Sequence, residues 1–261
     1  MIDLHCHILH GMDDGPQTPE ESLQMARMLE RAGYDTVVAT PHMMPGTAWV
    51  PSVDRIRSQV AELNRAVKTD GLDLKILPGM EIAIDPGIPE MLDERRLQPL
   101  GDSACLLIEP WFQQLPPGWE PLIFSILSKD YQILLAHPER CLQLVADSAL
   151  IGRLIEMGVY LQVDWGSYLG QYGRAAKRTA RLMAARGWIH CLATDSHRPA
   201  GFDPSRWRAA RAKLRAIIGQ ENLQRITTDN PLRLLNGEVL QPMTVSGAMS
   251  GGIKRRWWRF W

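Results

Sequence analysis

Two histidines one residue apart, His5 and His7, follow the short apolar segment Met1 to Leu4. Side chains alternate across a strand, so both imidazoles would share one face and Cys6 would take the other. Two imidazoles on one face make a chelate. A single such pair is a weak signal, because a histidine at a strand end more often serves packing. Here the pair has followers: His42, Glu81, Glu109, His137, Asp195 and His197 each come just after an apolar run. Asp195 and His197 repeat the one-residue spacing at the other end of the chain. Asp14 sits in Asp13-Asp14-Gly15-Pro16, where the run also fits a simple turn. Glu81 and Glu109 end apolar runs, where an unpaired carboxylate would be costly. Nine imidazoles and carboxylates are too many for one cation and suit two or three divalent ions sharing bridging carboxylates. The donor types favour Mn, Fe or Zn, with Co and Mg also open. Cations about 3.5–4 Å apart clamp a phosphoryl oxygen and activate water. The chemistry implied is metal-assisted hydrolysis, with phosphate esters the leading substrates and deamination or amide hydrolysis still open.

Those residues need elements that bring them together. Candidate strands are Ile2–His5, Asp35–Thr40, Leu74–Glu81, Ala104–Glu109, Gln132–His137, Val159–Asp164 and His190–Asp195. Amphipathic stretches lie between them: Pro19–Ala32, Val53–Lys68, Pro121–Lys129, Ala149–Met157 and Arg174–Arg186. Thr18-Pro19-Glu20-Glu21 reads as a helix start, with a capping hydroxyl, proline in the first turn and carboxylates facing the dipole. Gly33, Gly158 and Gly187 stand where helix C-terminal caps belong. Seven strand–helix alternations in 261 residues imply one parallel, closed (β/α) barrel rather than an open sheet. No G-x-G-x-x-G follows the first strand and no glycine precedes a lysine, so Rossmann and P-loop nucleotide sites are excluded. In such a barrel, chemistry gathers at the C-terminal ends of strands, which is where the candidate ligands fall.

Composition narrows the class. Lys plus Arg and Asp plus Glu are both 29, so the overall charge points to no nucleic-acid partner. The charge is uneven: residues 1–94 hold sixteen acids and seven bases, and 174–225 hold three acids and twelve bases. A solvated helix face explains the second stretch. Four scattered cysteines without a C-x-x-C pair argue against a disulfide framework or a thiolate zinc site and fit a reducing compartment. The opening MIDLHCH is too short and polar for a signal peptide, and no apolar run approaches bilayer length, so a cytoplasmic protein is expected. Residues 1–240 are expected to form the barrel. Residues 241–261 would be a linker, rich in Ser, Gly and Met over Pro242–Gly252, and a tail. That tail, Lys254 to Trp261, packs four cations and four aromatics into eight residues and fits an anionic membrane surface at about 1 kcal/mol per basic residue.

At the candidate ligands the chain resembles a known family. HxH at the first strand, TPH at the second, GxE at the third, HPER at the fifth and TDSH at the seventh resemble the PHP superfamily. More narrowly, IDLHCHILHGMDDGPQTPEESLQMAR, YQILLAHPER and LQVDWGSYLGQYGRAAKRTARLMAARG are similar to the manganese-dependent bacterial protein-tyrosine phosphatases of capsule and exopolysaccharide synthesis. The similarity covers roughly residues 1–237. It implies a distorted (β/α)7 barrel with a three-metal centre. By this resemblance His5, His7, Glu81 and Asp195 hold one metal, and Glu81 bridges to a second with Glu109 and His137. Asp14, His42 and His197 hold the third. Arg140 of HPER matches a phosphate-binding arginine. Arg198 matches a second across a shortened spacer, with Arg206 as the alternative. Arg140, Arg198 and Asp14 are thus the catalytic candidates. The implied substrate is the phosphotyrosine tail of a membrane-bound bacterial tyrosine kinase. A histidinol-phosphate-type phosphatase and a non-catalytic metal-bound scaffold are the alternatives. No Cys is followed six positions on by Arg, so a thiolate phosphatase is not available.

Overall fold

The computed structural model describes residues 1–199 and 204–244, without the side chains of 204–206. The chain alternates strand and helix from the start. β1 (Ile2–Cys6) leads to α1 (Pro19–Arg31), and β2 (Thr36–Ala39) and β3 (His42–Met43) lead to α2 (Val53–Thr69). β4 (Lys75–Pro78) and β5 (Glu81–Ala83) precede α3 (Ile88–Asp93). β6 (Cys105–Glu109), α4 (Trp119–Leu127) and β7 (Gln132–Leu135) follow. Then come α5 (Leu142–Ala146), α6 (Ser148–Glu156), β8 (Tyr160–Asp164), α7 (Trp165–Leu169), α8 (Gly173–Arg186) and β9 (Cys191–Ala193). α9 (Pro204–Gln224), broken at Gly219, and α10 (Asn230–Leu235) close the described part.

All strand pairs are parallel, in two sheets ordered β1-β2-β4 and β3-β5-β6-β7-β8-β9. Backbone bonds from Asp195 N to His5 O and from His7 N to Ser196 O, both 3.0 Å, tie the end of the second sheet to β1. The seven expected strand segments are present, but an unexpected short strand, β3, follows the second, and the third is cut in two. Pro41, which has no N–H to give a ladder, separates β2 from β3, and Gly79 lies between β4 and β5. A side chain at Gly79 would strike Val38, so the chain bends there where only glycine fits. The bends turn His42 and Glu81 toward the same place, at paired positions in the register.

The start of α1 is as expected: Thr18 Oγ1 accepts from Glu21 N, and the Glu21 carboxylate accepts from Thr18 N. Helices α3, α5, α7 and α9 were not legible. Three of them are five or six residues long, too short for a periodic pattern to declare itself.

Both faces of the strands are buried. Cys105 and Leu107 on β6 join Leu134, Ala136 and Cys191 in one apolar cluster, capped by Leu234 and Leu240. Their alternates Leu106, Ile108, Ile133, Leu135 and Leu192 join the larger cluster against the helices. That two-sided burial is why these strands read as continuous apolar runs. Among the described residues no helix is long and apolar enough to cross a membrane. The tail Lys254–Trp261 lies outside the described residues.

Candidate metal centre

Apart from Asp14, which lies in the loop between β1 and α1, each candidate ligand stands at the end of a strand or within four residues after one. His5 and His7 straddle the end of β1, His42 and Glu81 open β3 and β5, and Glu109 closes β6. His137 and Asp195 stand two residues beyond β7 and β9, both at positive φ, 30° and 49°. Left-handed backbone in residues with side chains carries strain, and here it aims two ligands inward.

Glu81 is the hub. It is 1% exposed. Its Oε1 lies 3.2 Å from His5 Nε2 and 2.9 Å from His137 Nε2. Its Oε2 lies 3.2 Å from His7 Nε2 and 2.9 Å from His42 Nδ1. Asp195 Oδ1 is 3.3 Å and 3.4 Å from the same nitrogens of His5 and His7. Glu109 reaches His42 at 3.8 Å and His137 at 3.9 Å. Asp14 lies 3.3 Å from His197 Nε2 and 3.6 Å from His42 Nε2. Three overlapping groups converge within 4.8 Å: His7, Asp14, His42 and His197; His5, His7 and Glu81; and His42, Glu81 and Glu109. All nine expected residues are therefore together: seven line a cavity of about 270 Å³ with Arg140, Tyr172 and Arg198, and His5 and His7 are buried against Glu81 and Asp195.

The partners of the imidazoles test whether cations fit. His5 Nδ1 faces Gln162 Oε1 at 2.9 Å, and His7 Nδ1 faces Asp13 Oδ2 at 2.6 Å. His197 Nδ1 donates to the Asp195 carbonyl at 3.0 Å. Each partner is an acceptor, so each Nδ1 carries the hydrogen and Nε2 turns a lone pair into the cavity. His5 Nε2 and His7 Nε2 then face each other at 3.1 Å. His42 Nδ1 and Glu81 Oε2 are buried without hydrogen-bond geometry between them. Lone pairs and carboxylate oxygens aimed at one another need a cation, and the residues fit divalent metal.

Asp13, Gln162 and Asp164 were missed by sequence reasoning. Asp13 also accepts from His42 N and Gly15 N, and a side chain at Gly15 would run into the His7 carbonyl. Gln162 and Asp164 alternate on β8, and that period-two polar pair ending an apolar strand was the available signal. Asp164 and Asp195 hold Arg140 Nη1 at 3.2 Å and 2.6 Å. Tyr172, whose ring lies 4.2 Å from the Arg140 guanidinium, had no signal at all. Arg198 is exposed at the cavity rim, and the side chain of Arg206 lies outside the described residues. His190 stays apart from the cavity and accepts from Leu161 N. All four cysteines are buried and unpaired, and burial pushes their thiols up, so none supplies a thiolate.

Without metal, protons occupy the site. Burial opposes charge on His5, but Glu81 and Asp195 outweigh it and push the imidazole up to about 10. Burial likewise opposes charge on His7, and Asp13, Asp195 and Glu81 raise it well above the ordinary value. A raised histidine pKa stabilises the folded chain fully below the unfolded value of 6.5, and that stability is lost as pH rises through about 10. The metal-free protein should therefore lose thermal stability over that window. Metal binding near neutral pH should release protons and tighten as pH rises. Calorimetric titration with Mn²⁺ in two buffers of different ionisation enthalpy measures the release. Equal heats in both would contradict it.

Parallel strand ends that deliver imidazoles and carboxylates to one cavity beside an arginine define a metal-dependent hydrolase on a (β/α) frame. The family model described as capsular polysaccharide synthesis, CpsB/CapC, matches residues 1–236, and the chain belongs to that family. It is 34% identical over 197 residues to the tyrosine-protein phosphatase YwqE of Bacillus subtilis, an alignment covering 76% of this chain and 77% of the relative. It is 27% identical over 249 residues to the tyrosine-protein phosphatase CpsB of Streptococcus pneumoniae, covering 92% and 100%. The fold matches a crystal structure described with YwqE and CpsB as metal-dependent tyrosine phosphatases. There the TM-score is 0.85 and the identity 31%, covering 93% of this chain and 97% of that one.

Proposed function

We propose that this chain is a metal-dependent protein-tyrosine phosphatase acting on the phosphotyrosine tail of a membrane-bound bacterial tyrosine kinase of capsule or exopolysaccharide synthesis. The observation that carries it is the convergence of four imidazoles on the Glu81 carboxylate beside Arg140. In this reading His5, His7, Glu81 and Asp195 hold one metal. Glu81 reaches a second with Glu109 and His137, and Asp14, His42 and His197 hold a third. The mixed imidazole and carboxylate set suits manganese, iron or zinc, and manganese is the metal of this reading. The chemistry a divalent centre supplies when bound is activation of water and neutralisation of phosphoryl charge.

The chain's own residues do the positioning. Arg140, held through Nη1 by Asp164 and Asp195, lines the cavity, where its remaining N–H groups would meet the phosphoryl oxygens on which charge develops in the transition state. Arg198 at the rim is the second phosphate arginine of this proposal. Asp13 and Gln162 fix the tautomers of His7 and His5.

Turnover of phosphotyrosyl peptides against histidinol phosphate tests the assignment. A higher kcat/KM on the peptides is expected. The opposite order would point to a small-molecule phosphatase, and turnover of neither by the metal-loaded chain would point to a scaffold. Residues 1–240 would carry catalysis at the inner face of the membrane, with 241–261 a linker and a tail that touches anionic lipid. Anionic vesicles should co-sediment the full chain and not one ending at Val245. Equal binding by both removes the tail's role.

A further inference from the structure

Beside the metal cavity lies a second hollow of about 250 Å³, lined by Phe112, Leu142, Val145, Ala176, Arg140 and Tyr172. Phe112 is 61% exposed, Leu142 44% and Tyr172 40%. Large apolar side chains standing in water beside a charged cavity mark a surface built to be covered. The hollow is preformed rather than a loose loop. Leu142 N donates to Phe112 O at 2.9 Å, Gln143 N to Gln113 O at 3.1 Å, and Gln143 Oε1 accepts from Leu115 N at 2.9 Å.

Arg140 and Tyr172 line both hollows, so the two share one wall. That wall is fixed, because the guanidinium lies over the Tyr172 ring and is tied to Asp164 and Asp195. Two further hollows adjoin the cavity: one sets Leu169 and Trp207 beside Gln171, Thr194 and Ser196, and the other sets Pro16 and Pro199 beside Gln17, Glu21 and Gln24. Of the three, the hollow of Phe112, Leu142 and Val145 has the most apolar wall, so it offers the most carbon to an apolar group attached to a phosphoryl group bound among the nine donors.

We infer that the Phe112–Leu142–Tyr172 hollow receives the aryl ring of the phosphate ester and so selects aryl over alkyl monoesters. The inference rests on the phosphatase reading and names the subsite that would make it tyrosine-directed. Aromatic rings pack offset or edge-on against Phe112 and Tyr172, and the Arg140 cation attracts a ring face. A seryl or threonyl leaving group has too few carbons to reach these side chains.

Phe112→Ser and Leu142→Ser, singly and together, test this in the full metal-loaded chain, since both side chains are largely exposed. Phe124→Ser, which removes another exposed phenylalanine (70%) outside the hollow, is the control. In the double variant KM for phenyl phosphate should rise roughly tenfold, equivalent to about 1.4 kcal/mol. The kcat and the inhibition constant of inorganic phosphate should hold, and the control should match wild type. An unchanged KM for phenyl phosphate overturns the inference. So does a loss confined to phosphotyrosyl peptides, which would assign the hollow to a neighbouring peptide residue. If wild type hydrolyses neither aryl ester, the phosphatase reading itself falls and takes the subsite with it.

Discussion

Replacing Glu81 by Gln should lower kcat/KM on a phosphotyrosyl peptide on the order of a thousandfold, beyond the ten- to hundredfold that outer-shell partners of a metal site typically cost. Its two oxygens stand within 3.2 Å of nitrogens from His5, His7, His42 and His137, so one substitution disturbs more than one proposed metal position. The amide keeps the shape and removes the charge. The bound metal measured after gel filtration should drop with activity. The unfolding temperature of the metal-free variant should change in the same direction as that of His5→Asn, because burial opposes the His5 charge and Glu81 is the chief group sustaining it. Full metal occupancy with near wild-type turnover would remove Glu81 from the centre.

Arg140→Ala should separate metal from phosphate. Loss of a positioned donor to transition-state charge costs about a hundred- to a thousandfold in kcat. The ligand groups remain, so bound metal should persist while kcat/KM falls and inorganic phosphate inhibits less well. Arg140→Lys should restore only part, because an ammonium cannot hold Asp164 and Asp195 while presenting a planar fork to phosphate. Stability should also fall, since Asp164 is fully buried and its charge loses a partner. An Arg140→Ala enzyme with normal kcat/KM would move phosphate binding elsewhere.

The ligands were legible because chemistry at strand ends interrupts apolar runs with groups that packing does not explain. His5, His7, Glu81, Glu109, His137 and Asp195 all gave that signal, and the alternating frame placed their ends together. The short strand β3 beyond Pro41 and the break at Gly79 were not legible: two residues are too few for a strand pattern, and Gly79 acts through its close approach to Val38 on the neighbouring strand. Asp13 was read only as a turn residue beside Asp14, and its bond to His7 Nδ1 depends on the three-dimensional return of the loop. Tyr172 sits in a short polar linker between α7 and α8, and nothing in its neighbours foretells that it packs on Arg140. The supporting shell and the apolar hollow are tertiary facts, whereas the metal ligands carry their own types and spacing.

The most direct test of the metal-centred account is hydrolysis of a phosphotyrosyl peptide by the full chain before and after exhaustive chelation, with metal counted by elemental analysis. The expected result is two or three divalent ions per chain as loaded with Mn²⁺, loss of turnover with their removal, and fullest recovery with Mn²⁺. Undiminished turnover in a chain shown to hold no metal would contradict the account.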